Sequence, residues 1–174
     1  MPTVTYTPEE DGWMRASSSL SHADAVAANG VLGVAHRGNT AYVKAGVNYF
    51  CSRTYYRFDT TALSTSITAT SAYIEVVLDR PRGGTMDAME VHKLFMSSDN
   101  SSSIVAALYQ TITSVASNTT TDVGAVDDST KQFVIDGDLL NYLNTQIAAG
   151  AKPAFILRNK GDYDVGTEGN PSAI

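Results

Sequence analysis

The chain has 174 residues, enough for one domain of ordinary size. Its hydrophobic fraction of 43% supplies a core, and its charged fraction of 17% falls below the usual ~25%, so Ser, Thr and Asn must make much of the surface. A formal net charge of −6, with twelve basic residues scattered along the chain, excludes the clustered Lys and Arg that nucleic acid or an anionic membrane surface requires.

Thr3–Thr7 alternates and ends at Pro8, so it predicts a short N-terminal strand. Gly12–Ala16 predicts a second, with Trp13 as its largest buried side chain. Ser17–Asn29 is open between loop and a turn or two of helix. Ala41–Phe50 predicts one strand, broken or bulged at Gly46.

The chain is organised around Ser52–Leu78. Thr54, Tyr56 and Phe58 alternate with Arg53, Tyr55, Arg57 and Asp59, the period of a half-buried strand. Asp59 or Thr60 then caps one helical turn, with Leu63 tucked beneath it. Ala72, Ile74, Val76 and Leu78 share a face of the following strand.

Pro81 closes that strand, and Ala88–Met96 predicts the next. Ile104–Ile112 fits a short helix or a strand, and Ala116–Asp128 an exposed loop. Lys131–Asp136 predicts a strand. Residues 138–149 predict a helix, because Leu139, Leu140, Leu143 and Ile147 recur on one face. Asp136 or Asp138 suits its N-cap and Gly150 its C-cap. Ala154–Arg158 predicts a last strand, and Asn159–Ile174 a loop-like tail rich in Gly and Asp.

Many short strands with turn signals and one helix predict an all-β fold. The expectation is a single domain over 1–174: a jelly-roll β-sandwich of antiparallel strands with one short helix, about 138–149, on its edge.

The motifs carry a resemblance. Arg53-Thr-Tyr-Tyr-Arg-Phe-Asp59, a turn ending in Leu63, and Ile67-Thr-Ala-Thr-Ser-Ala-Tyr-Ile-Glu-Val76 together resemble DNRLRE-type jelly-roll domains. These are similar in fold to carbohydrate-binding modules and growth-factor propeptide sandwiches. Asp11-Gly12-Trp13, Phe155-Ile-Leu-Arg158 and Gly161-Asp-Tyr-Asp164 match the opening and closing motifs of versions found in tailed bacteriophages. The resemblance implies a virion structural protein, in a capsid decoration or a tail or fibre. It implies docking to other virion proteins, a homo-trimer among the symmetric options, and no catalysis. The family pattern closes with a further strand, and Pro171-Ser-Ala-Ile174 departs from it. An unfilled sheet edge is a template for another chain. The start lacks a basic and apolar leader, which fits synthesis in a host cytoplasm and location in the virion.

The alternative is a glycan-binding adhesion module. Carbohydrate-binding likeness directs attention to Tyr42, Tyr49, Tyr55 and Tyr163, with Trp13, as a stacking platform for surface glycan, although core packing and strand pairing are the favoured account of these aromatics. Arg57 and Asp59, two apart on one face, suit a structural corner. Asp162, Asp164 and Glu168 place carboxylates in a glycine-bearing loop, a pattern that suits calcium as well as a solvated turn. No other cofactor is suggested. His22, His36 and His92 stand apart from any nucleophile or metal-ligand pattern, so no catalytic residue is assigned. Cys51 has no partner for a disulfide and suits a small buried residue.

Overall fold

The computed structural model describes residues 3–27, 32–35, 41–45, 47–78, 91–100, 103, 106–122 and 129–163. The larger sheet contains β1 (Glu10–Ser18), β2 (Leu32–Ala35), β3 (Ala41–Ala45) and β4 (Asn48–Arg57). It also contains β6 (Val91–Ser97), β7 (Ile112–Ala116), β8 (Thr121–Asp122) and β10 (Ala154–Asn159). β5 (Ala72–Leu78) and β9 (Ser129–Ile135) form the smaller sheet. The fold is an antiparallel β-sandwich, as expected, with α2 (Gly137–Ala148) as its main helix.

The order β2-β1-β4-β10-β6-β7 puts the last described strand in the middle of the larger sheet. β10 pairs with β4 on one side, Phe155 opposite Tyr56, and with β6 on the other, Leu157 opposite Leu94. Residues 171–174, where a closing strand would fall, lie outside the described residues.

α2 crosses from β9 in one sheet to β10 in the other. Leu139, Leu143 and Ile147 bury its apolar stripe against Ile74, Phe133 and Ile135 of the small sheet and Tyr56, Leu94, Phe155 and Leu157 of the large one. Burial of each such side chain contributes about 1.5–3 kcal/mol. The helix, which lies nearest β7 at the end of the larger sheet's described order, therefore closes the edge of the sandwich and adds to the core there. Gly150, at φ +62, ends it: its N–H donates to Ile147 O and the Ala151 N–H donates to Gln146 O. Asp136 is the N-cap residue, but its carboxylate does not bond the helix. It accepts instead from the backbone N–H groups of Asn118 and Thr119. Those bonds and the Thr119 hydroxyl hold Asp136 below its ordinary pKa although burial pushes the other way.

The opposite face of the larger sheet is also covered. Met14, Ala16, Cys51, Tyr55, Ala154 and Ile156 pack under α1 (His22–Ala27) and a 3-10 turn, Ala106–Gln110, through Ala25, Leu108 and Tyr109. The expected half-buried central strand is thus buried on both faces, because a second layer lies over it.

Several expectations need correction. Residues 3–7 form no strand: the ladder begins where the Glu9 N–H meets Arg57 O, and Val4, 57% exposed, has no core to join. Ala41–Phe50 is not one bulged strand but a hairpin, with Ala45 opposite Asn48. Trp13 is only half-buried, since Met14 and Ala16 take the covered face of β1. Ile104–Ile112 contains the 3-10 turn, and β7 follows it. The 116–128 loop contains β8, which pairs Val91 with Asp122. Residues 160–163 are not loop but a helical turn, α3 (Lys160–Tyr163). Among the described residues no helix is long and apolar enough to cross a membrane.

Candidate functional site

Under the second layer lies the densest group of ionisable side chains among the described residues. Odd-numbered residues of β4 face this layer, so Arg53 enters it between Cys51 and Tyr55. Arg158 reaches the same place from β10. α3 turns the chain back by four residues and delivers Asp162, which is fully buried.

The Asp162 carboxylate is gripped from two sides. Arg53 Nε donates to Oδ2 at 2.7 Å and Nη2 to Oδ1 at 2.6 Å. Arg158 Nε donates to Oδ2 at 2.8 Å, and its Nη2 to Oδ1 at 3.0 Å and to the Asp162 carbonyl at 2.7 Å. Both are two-pronged guanidinium–carboxylate pairs, the strong geometry for this bond. The remaining Arg53 donor, Nη1, bonds the carbonyl of Tyr109. The Arg53 guanidinium lies 3.7 Å from the Tyr109 ring centroid, and that of Arg158 4.8 Å from Phe95. The Tyr109 hydroxyl donates to Ala25 O at 3.2 Å, tying the 3-10 turn to α1.

The electrostatics follow from burial and pairing. Burial pushes the Asp162 carboxyl up, but the bonds from Arg53 and Arg158 outweigh it and hold it below its usual range. Burial works against the Arg53 charge too, and Asp162 outweighs it there. At Cys51 burial wins: it pushes the thiol up to about 12, the Asp162 charge adds, and the Arg53 charge and the Tyr109 hydrogen bond offset only part of this. A thiol so far from ionising is a poor nucleophile. Burial likewise raises Tyr109. The arrangement can hold charge, close a layer and fix the segment at 160–163. It does not present a group poised to exchange a proton near neutral pH.

The expected corner residues are close together but do not bond each other. Arg57 pairs with Glu9 at 3.0 Å and donates to Asn100 O at 3.1 Å. Asp59 pairs with Lys152 at 2.8 Å and accepts from the Thr61 N–H at 3.0 Å. Lys152 also bonds Glu9 at 2.8 Å, so the four form one chain, Arg57–Glu9–Lys152–Asp59, where β1, β4 and β10 meet. The bonds from Lys152 and Thr61 hold the Asp59 carboxyl well below its usual range. Leu63 lies under this corner, and its N–H donates to Thr60 O. The turn is capped by Asp59, as expected, but it is not helical.

Of the four tyrosines suggested for glycan, Tyr55 is fully buried, and its hydroxyl donates to Asp99 O at 3.2 Å. Tyr163 is partly buried with its ring 5.6 Å from Phe95. The side chains of Tyr42 and Tyr49 lie outside the described residues; their backbones sit opposite Cys51 and Lys44. Tyr55 and Tyr163 therefore do not form an exposed platform. For the suggested calcium site, Asp164 and Glu168 lie outside the described residues. Both Asp162 oxygens are taken by guanidiniums, which would repel a cation there. His92 is buried with its ring 6.3 Å from Phe133.

The convergence of Arg53, Arg158 and Asp162 was not foreseen. One local signal was present: Arg158 and Asp162 stand four apart, the spacing that a helical turn brings together. Compared with known proteins, the chain matches no family model and no curated sequence.

Proposed function

We propose that this chain is a non-enzymatic structural protein of a bacteriophage virion, in a capsid decoration or a tail or fibre, acting by docking against other virion proteins. The virion assignment is supported by the resemblance of the Arg53–Val76 stretch and its flanking motifs to phage jelly-roll domains. The docking mode is supported by one observation above the others. On the outer face of the small sheet, Tyr73, Val77 and Val134 stand 52%, 68% and 38% exposed. Tyr73 and Val134 are direct partners across β5 and β9. Beside them Gln132 Nε2 donates to Glu75 at 3.1 Å, a polar strip between apolar ones. Apolar side chains grouped on a stiff sheet are the kind of surface a partner covers.

The test is quantitative mass spectrometry of purified particles from the source, counting this chain against the major capsid protein. Hundreds of copies place it in a capsid decoration, and a few dozen or fewer in a tail or fibre. Absence from the particles overturns the proposal.

A further inference from the structure

The described arginines divide into two kinds. Arg53, Arg57 and Arg158 each pair with a carboxylate. Arg15 has no described carboxylate in reach, and its Nε, like that of Arg57, is buried with no hydrogen-bond partner. That is unusual in a chain with eighteen acidic residues against twelve basic ones.

The surroundings of Arg15 are built rather than incidental. Arg15 and Trp13 share a face of β1, two residues apart. Phe50 stands opposite Ser17 on β4, diagonal to Arg15 on that same face. The guanidinium carbon is 5.0 Å from the Phe50 ring centroid and 5.7 Å from that of Trp13. All three side chains are partly exposed. On that same face Ser52 and Thr54, opposite Arg15 and Trp13 on β4, are buried. β2, an outermost strand in the described order of the sheet, pairs directly with this stretch of β1, Leu32 opposite Arg15.

We infer that Trp13, Arg15 and Phe50 form a second docking point, which takes a carboxylate side chain from an acidic segment of a partner protein. Aromatic rings against a guanidinium orient it and leave its in-plane N–H donors for a carboxylate, which they match two at a time. Trp and Arg are the side chains that most often dominate protein–protein interfaces. A guanidinium with no carboxylate among the described residues suits an acidic occupant, and a position one strand from the sheet's described edge favours a polypeptide over a saccharide. This rests on the protein-docking reading above.

Trp13 is the chain's single tryptophan, so its fluorescence reports on this site alone. The full chain is titrated with hexaglutamate peptide, with sodium chloride at matched ionic strength, and with a glucuronic-acid oligosaccharide. The expected result is a saturable change with the peptide, absent with chloride, and at least ten-fold weaker binding in Arg15→Gln at unchanged circular dichroism. Arg15→Lys, which keeps the charge and loses the planar fork, is expected to weaken binding as well, and it serves if Arg15→Gln fails to fold. No saturable change, an equal change in the arginine variants, or saturation by the oligosaccharide alone overturns the assignment. Particle counting decides the virion reading separately: a chain present in particles yet silent to the peptide loses only the Arg15 site.

Discussion

Where β4 and β10 pair, the two faces of the larger sheet are both buried, by different means. The face toward the small sheet is apolar: Tyr56, Phe155, Leu157 and Leu94 meet Phe133, Ile74 and the stripe of α2. The face under α1 and the 3-10 turn mixes Met14, Tyr55 and Ile156 with two guanidiniums and a carboxylate. One strand, β4, feeds both. The difference teaches that the first face is held mainly by area removed from water. The second depends on a charge balance that can be broken by removing one group.

The largest effects should come from the centres of the two faces. Phe155→Ala opens a cavity between sheets and helix and should cost about 3–5 kcal/mol, read by denaturant unfolding. Asp162→Asn should cost a similar ~3–5 kcal/mol, because it strands two guanidiniums beneath the second layer. The comparison sharpens with Arg53→Met added to Asp162→Asn: removing a stranded charge should recover part of the loss, whereas no second polar change should rescue Phe155→Ala. Cys51 should resist a thiol reagent in the native protein and react fully once unfolded.

Smaller effects lie at the ends of α2 and on the surface. Gly150→Ala should cost about 1–2 kcal/mol: φ is +62, and the space around its Cβ is open apart from Thr65 at 3.9 Å, so backbone strain is the whole effect. Lys152→Ala should lower the melting temperature slightly at low salt and less at high salt, since its partners Glu9 and Asp59 are exposed. Tyr73→Ala, on the outer face of the small sheet, should change the stability of the isolated chain by about 0.5 kcal/mol or less.

The apolar face was legible in the sequence. Ile74 and Val76 on β5 alternate with exposed Tyr73 and Val77, and Leu139, Leu143 and Ile147 recur at helical spacing, because each of these elements has one wet side. The charged face was not legible. Arg53 alternates with Thr54 as a solvent-facing residue would, and nothing local says that a second layer covers it. Asp162 reads as a turn carboxylate, since its partner Arg53 lies 109 positions away. Buried charge pairs of that separation are a product of tertiary packing alone. The corner was half legible: Arg57 and Asp59 belong to it, but the link runs through Glu9 and Lys152, which only the sheet register brings together.

The most direct test of the charged face is stability against pH for the wild type and Asp162→Asn. Asp162 is held below its ordinary value of 3.8 when folded. Its contribution is therefore fully present above that value and is lost as pH falls through the lower, folded one. Asp59 and Asp136, also held low, are common to both proteins and should leave a shared slope. The account predicts that the wild type's advantage over Asp162→Asn is constant from neutral pH to about 4 to 5 and shrinks below that range. Two curves that stay parallel down to the lowest pH would show that Asp162 does not carry its charge in the fold, and would contradict the clasp.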